Sequence, residues 1–400
     1  MHSVISAANR LDQDIGDFME SSDPERSSGS PPDGRSSGLT SRRFFLFWVA
    51  MLLGSVLVTL VVTELFIRTF VRFPLPVEIG AEVLSLRDNQ TAFEADPELI
   101  WRLRKNVRFA EDHFVFPGIV SNSQRLRSAV EIPATKASNE LRILFIGDSV
   151  TFGWGVPHEE TYTELTGRAL QERFPDMSVT IINAGVPAYG ILQGLRYLEA
   201  EGFDYQPDLV VVGSFGFTDS LPWQGISDFE RFQRWDAEQP SQQLHWSYTA
   251  RLISRSLFGR EYPPSTTPNR PRLTLVEFRD VLERVREATR QRGAQLLILI
   301  PPHMNNLNGR VTPGTLGPQQ QVLAEFGKNL HLDMIDEPAL VDGAGLLFEM
   351  TNEYESSKLM RDLVHPTEIF HAAFAMEVDS AIAPWVELQL SFGRFASKAD

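Results

Sequence analysis

Four short clusters hold the side chains that can do chemistry: Gly147-Asp148-Ser149, Asn183-Ala184-Gly185, Gly216-Phe217-Thr218-Asp219 and Asp362-Leu363-Val364-His365. A serine hydroxyl is a weak nucleophile and needs an adjacent base. An imidazole at position 365 can take the Ser149 proton and return it to a leaving group. Asp362, three residues earlier, can fix the imidazole tautomer and stabilise the imidazolium. A tetrahedral oxyanion then needs preorganised donors. The N–H of Ser149 is one and the N–H of Gly185 is a second, since glycine admits close approach of the backbone. Taken alone, Ser149 in a glycine-rich turn reads equally well as a helix N-cap. Asp148 reads as a turn anchor and Asp219 as structural. His303, His331 and His371 lack metal-ligand spacing, so the sequence implies no metal site and leaves them as surface or core residues.

These clusters need elements that bring them together. Ile143–Ile146, Val179–Ile182, Leu209–Val212 and Leu296–Ile300 are short apolar runs, each stopped by Gly, Asn or Pro, and Met334-Ile335 is a weaker fifth. Helical patterns lie between them at 160–174, 191–200 and 273–292, with a last one from Thr367 to about Leu390. Continuous apolar strands alternating with helices predict an α/β domain, a three-layer α/β/α sandwich on a central parallel sheet, over 140–390. In such sheets ligands bind beyond the carboxyl ends of the strands, where the clusters stand. A long irregular insertion, 221–272, holds Trp223, Trp235, His245 and Trp246 and reads equally as a lid or as a surface excursion.

The N-terminal third differs in composition. Residues 1–43 are polar and rich in Ser, Gly and Pro, the signature of a disordered tail. Phe44 to Thr63 then runs for twenty residues without a charge. At 1.5 Å per residue this matches a hydrocarbon core of roughly 30 Å, so 44–67 is expected to be a transmembrane helix and a single-pass anchor. The arginines on its two sides nearly balance, with a slight lean towards an extracytoplasmic main domain. Residues 74–139 form a lead-in segment. Its stretch Asp96–Trp101 looks like a turn into a short element, and 107–120 like a β-ribbon.

The order and content of the four clusters resemble the SGNH hydrolases, also called the GDSL esterase/lipase family. Gly147-Asp148-Ser149-Val150 is similar to the nucleophile block, with Val150 where Leu is commonest. Asn183-Ala184-Gly185 is similar to the block supplying the glycine donor, and Asp362–His365 to the terminal Asp-x-x-His block. Gly216–Asp219 looks like the third block, usually Gly-x-Asn-Asp, but Thr218 holds the place of the asparagine donor. The resemblance implies a flavodoxin-like fold over 140–390 and hydrolysis of carboxylic esters by Ser149, His365 and Asp362 with no cofactor. It also implies an oxyanion hole of Ser149, Gly185 and Thr218, and a substrate acylated on carbohydrate or lipid. Losing one donor typically costs about 2.7–4 kcal/mol of transition-state stabilisation, so Thr218 is the open point.

The rest of the composition excludes alternatives. There is no cysteine, hence no disulfide, thiolate metal site or cysteine nucleophile. A net charge of -15 gains nothing at phosphates and argues against a nucleic-acid partner. No G-x-S-x-G elbow surrounds Ser149, and Gly153-Trp154-Gly155 lacks the third glycine of a dinucleotide fingerprint. Two other readings stay open: an O-acyltransferase acting on an envelope polysaccharide, and a non-catalytic envelope scaffold.

Overall fold

The computed structural model describes residues 37–70, 92–113, 117–222, 225–238, 247–258, 269–300, 317–333, 340–342 and 365–395. Asp362, His303, Met334-Ile335, Trp223, His245, Trp246 and most of the polar tail lie outside these residues. The chain divides into two units, Met1–Thr63 and Glu64–Asp400.

The described part of the first unit is a helix. Helix α1, Ser37–Phe70, contains the stretch Arg42–Ile67, which is long and apolar enough to cross a membrane.

In the second unit five parallel strands form one sheet: β3 Glu140–Gly147, β4 Ser178–Asn183, β5 Leu209–Gly213, β6 Gln295–Ile300 and β7 Leu340–Asp342. Their order is β4-β3-β5-β6-β7. Four of the five apolar runs seen in the sequence lie within strands, and the fifth strand falls just after Met334-Ile335. The chain leaves β3 for one side of the sheet and returns at β5 on the other, so β3 and β5 flank a topological switch point. In open α/β sheets ligands bind at such a point, beyond the carboxyl ends of the strands.

The alternation of side chains along β3 feeds two separate cores. Leu144 and Ile146 point to one face, with Ile182, Val210, Val212 and Ile298. That face is covered by α4 (Ile191–Ala200), α8 (Leu275–Gln291) and α9 (Pro318–Asp333). Leu141, Ile143 and Phe145 point to the other, under α3 (Tyr162–Arg173) and α10 (Glu368–Ser391). This is the three-layer α/β/α sandwich. Helix α8 starts at a capping box, Thr274 with Glu277, as its sequence would specify. Helix α9 was not anticipated, because its apolar positions Val322, Leu323 and Phe326 are few among glutamines.

The lead-in segment carries a hairpin, β1 Phe93–Asp96 with β2 Ile100–Leu103. The hairpin turn is the Asp-Pro-Glu stretch read from sequence, and Asp96 Oδ1 caps it by accepting from the N–H groups of Glu98 and Leu99. Over 107–120, among the described residues, an antiparallel bridge pairs Arg108 with Val120, flanked by hydrogen bonds from Phe109 N to Ile119 O and from Ser121 N to Val107 O. The hairpin's apolar residues, Phe93, Leu99, Ile100 and Trp101, share the core of the α4/α8 face.

The insertion is more ordered than its composition indicated. It contains α6, Asp228–Glu238, and α7, Tyr248–Phe258. Its two ends are stapled together: Arg272 N donates to Leu221 O, and Asp228 N to Arg272 O. The Arg272 guanidinium forks onto the Asp228 carboxylate, Nη2 to Oδ2 at 2.8 Å, with both side chains fully buried.

Candidate active site

β3 delivers the nucleophile. It ends at Gly147, and Asp148 caps a one-turn helix, α2 (Ser149–Phe152), by accepting from Val150 N at 3.0 Å. The turn closes on Gly153 in the left-handed region, φ 75°, which suits glycine. Ser149 thus stands at the first position of a helix at the switch point. Its own N–H is one of the orphan donors of a helix start.

The base arrives from the opposite end of the sequence. His365 precedes α10, and its Nε2 lies 3.1 Å from Ser149 Oγ. This is hydrogen-bond distance for proton transfer. Trp154, two residues past α2, stacks on the imidazole with centroids 5.7 Å apart and planes at 28°. The ring is therefore oriented by packing as well as by the serine.

Gly185 is held against the nucleophile turn. A Cβ there would meet Phe152 N at 2.5 Å, so no other residue allows this approach. Its N–H donates to Asn183 Oδ1 at 3.0 Å. Asn183 Nδ2 in turn donates to Thr151 O and Thr163 Oγ1, fixing the end of β4 to α2. For the Gly185 amide to serve an oxyanion, that donor has to be shared with Asn183.

Thr218 sits in α5, Phe217–Ser220, beyond β5. Its hydroxyl donates to Asp148 Oδ2 at 2.8 Å. A hydroxyl has one hydrogen, so in this arrangement Thr218 stabilises the turn that carries Ser149 and does not point a donor at substrate. Burial pushes the Asp148 carboxyl above its ordinary range, against hydrogen bonds from Val150 and Thr218 and the nearby His365. Thr218→Val is expected to cost about 1–3 kcal/mol of stability, because it removes one hydrogen bond from a buried carboxylate. It is expected to change kcat less than about tenfold, whereas removing a true oxyanion donor costs about 10²–10³. Thermal unfolding and ester turnover on one preparation read both.

Asp219 has a structural place. Its carboxylate accepts from Ile191 N at 2.9 Å and Gly216 N at 3.0 Å. Burial pushes it up to about 7, with Arg272 opposing. Among the described residues no group of three or more His, Asp and Glu side chains is arranged to hold a metal ion.

Two contributors have no signal in the sequence, and a third stands there only as a histidine without a role. The first is Arg127, fully buried in the lead-in segment. Its N–H donates to Asn183 O, its Nη2 to Val156 O at 2.5 Å, and its guanidinium lies 4.5 Å above the Phe152 ring. It thereby ties β4 and the nucleophile turn together. Burial lowers its pKa to about 9. The second is Ala188, at φ 63°, a left-handed backbone that alanine does not advertise. Its loop is clamped by Trp101 Nε1 to Pro187 O and Tyr189 OH to Trp101 O.

The third is His371, stacked on Tyr162 and accepting from Tyr162 N at 3.0 Å. Burial depresses it from 6.5 to about 3. A base whose folded pKa is depressed contributes stability above its unfolded value, and loses it as pH falls from 6.5 towards 3. That loss is about 1.4 kcal/mol per pH unit. His371→Phe is expected to be less stable at pH 7, for want of the Tyr162 acceptor. Its melting temperature is expected to fall less steeply than the wild type's between pH 6.5 and 4. Equal slopes would remove His371 as the cause.

With the geometry in place, comparison gives the family. The model of the GDSL-like lipase/acylhydrolase family matches residues 145–373, more than half of the chain. The chain belongs to that family, and it is an SGNH-type esterase. A search of curated proteins finds no match. Similar solved structures include LAE5, an alpha/beta hydrolase enzyme from the metagenome of Lake Arreo, Spain. It is 17% identical with TM-score 0.42, over 62% of this chain and 97% of its own. Axe2, an acetylxylan esterase from Geobacillus stearothermophilus, is 15% identical with TM-score 0.40, over 62% and 96%. The acetyl xylan esterase AlAXEase is 17% identical with TM-score 0.40, over 60% and 100%. Likeness at this level carries nothing about substrate.

Proposed function

We propose that the chain hydrolyses carboxylic esters with Ser149 as nucleophile, His365 as base and Asp362 as the residue that orients the imidazole. The observation that carries this is the 3.1 Å approach of His365 Nε2 to Ser149 Oγ across 216 residues of sequence. His365 takes the hydroxyl proton as Oγ adds to the acyl carbon, then gives it to the leaving alcohol. Water repeats the cycle on the acyl-enzyme. The Ser149 and Gly185 amides receive the oxyanion, and Thr218 holds the turn through Asp148. Asp362 enters from the spacing of Asp-x-x-His alone.

The same reading makes Arg42–Ile67 a membrane span that anchors the domain, on the extracytoplasmic face. Its support is the twenty uncharged residues Phe44 to Thr63. Acyl or acetyl groups on carbohydrate or lipid are the proposed substrates, by family analogy.

The test uses the full chain in lipid nanodiscs, with p-nitrophenyl acetate and a fluorophosphonate probe. Hydrolysis, and a probe adduct mapped to Ser149, are expected. Transfer of acetyl to an added sugar in preference to water would replace hydrolysis by acyl transfer. Absence of both turnover and adduct would leave a binding protein.

A further inference from the structure

Helix α7 takes no part in the site, yet three large aliphatic side chains on it face water: Leu252, Ile253 and Leu257, the last 69% exposed. At 100° per residue they and exposed Ser256 fall within an arc of about 140°, one face of an amphipathic helix. Ser254 is buried on the other side. The first turn of α7 is bonded to Glu64. Glu64 Oε2 accepts from Ser247 Oγ and from Thr249 N, both at 2.9 Å. Glu64 and α7 belong to the same unit, Glu64–Asp400.

Glu64 is also the first charged residue after the uncharged stretch Phe44–Thr63. If that stretch fills a bilayer, Glu64 stands at the edge of the hydrocarbon. Eleven helical residues reach about 16 Å. So α7 starts at the headgroup layer, and its far end lies no more than about 16 Å, three turns, from it whatever direction it takes. The sequence adds Arg251 and Arg255 one turn apart, the charge that suits lipid phosphates.

We propose that α7 lies in the membrane interface, with Leu252, Ile253 and Leu257 inserted at the headgroup–acyl boundary of the bilayer that Arg42–Ile67 crosses. This rests on the membrane reading of that span. The helix is then a second, in-plane contact that holds the esterase domain to the lipid surface.

The chain has no cysteine, so one introduced cysteine is a unique site for an environment-sensitive NBD label. Four full-length variants would be reconstituted in phosphatidylcholine/phosphatidylglycerol vesicles with and without doxyl-labelled lipid: Leu57→Cys, Ile253→Cys, Leu257→Cys and Arg284→Cys. All four positions are solvent-exposed, so none disturbs a core. Quenching of roughly threefold is expected at 57, 253 and 257 and little at 284, since an interfacial helix buries its apolar face about 5–10 Å deep. An unquenched label at 57 would sink the membrane span itself. Quenching at 57 with labels at 253 and 257 behaving like 284 would overturn the α7 proposal alone. Emission at 253 that shifts with protein concentration and not with doxyl lipid would put a second copy on this face, which also overturns it.

Discussion

Ser149→Ala is expected to lower kcat for short-chain aryl esters by on the order of 10⁵-fold with KM within a few-fold, because the lost group acts only once the acyl carbon is attacked. The alanine removes Oγ and leaves the rest of the turn intact. The Asp148 cap to Val150 N, the Thr218 bond to Asp148 and the packing of Gly185 on Phe152 involve no atom of the serine side chain. Folding is therefore expected to survive, and the melting temperature is the control. The residual rate measures the amide donors working without a nucleophile. Asp362→Asn, which keeps the size but lets the imidazole settle in the wrong tautomer, is expected to lose on the order of 10⁴. Unchanged turnover in Ser149→Ala would sink the nucleophile assignment. Unchanged turnover in Asp362→Asn, with Ser149→Ala dead, would leave a Ser-His dyad oriented by Trp154 stacking.

The pattern of what could be read from sequence follows from the range of the forces involved. Strands β3 to β6 are legible because a sheet buried on both faces requires continuous apolar runs. The nucleophile turn is legible because its residue types are dictated locally, by a cap, an exposed hydroxyl and a left-handed glycine. His365 is legible only as a type at a spacing; its approach to Ser149 is made by the packing of α10 against α3. The insertion was misread as irregular. Helices α6 and α7 lie among prolines and tryptophans, and contacts distant in sequence hold their starts, Asp228 to Arg272 and Thr249 to Glu64. Arg127 was invisible for a related reason. A buried arginine looks in sequence like any surface arginine, and only the tertiary fold places it over Phe152. Thr218 shows the opposite limit. Its position in the block was found, but the direction of one hydroxyl hydrogen is decided by Asp148 across the switch point.

Arg272→Met is expected to destabilise the domain by about 3–5 kcal/mol, the cost of leaving a buried charge without its partner. For a domain of this size that is a fall of about 10 °C in melting temperature. Arg272 is fully buried and does several jobs at once. It forks onto Asp228, donates from Nη1 to Ala188 O at 2.7 Å and from Nη2 to Gln193 Oε1 at 3.0 Å. Its loss frees the neck of the insertion and the left-handed Ala188 in the loop after Gly185, so ester turnover is expected to fall with stability. Electrostatics give the variant a signature that simple cavity formation lacks. In the wild type burial holds the Asp219 carboxyl near 7, so its contribution to stability is full in acid and lost as pH rises through that value. Without Arg272 that carboxyl moves higher still, and Asp228 is left with the more distant Arg231, 3.8 Å away, as its charged partner. The deficit is therefore expected to be larger at pH 8 than at pH 5, where Asp219 holds its proton. Adding Asp228→Asn is expected to recover part of the loss at pH 8, since it removes a buried carboxylate that has lost its bidentate partner while keeping the side chain's shape. A deficit that is the same at both pH values, or a double variant no more stable than Arg272→Met, would mean that Arg272 acts by filling space and not by pairing charge.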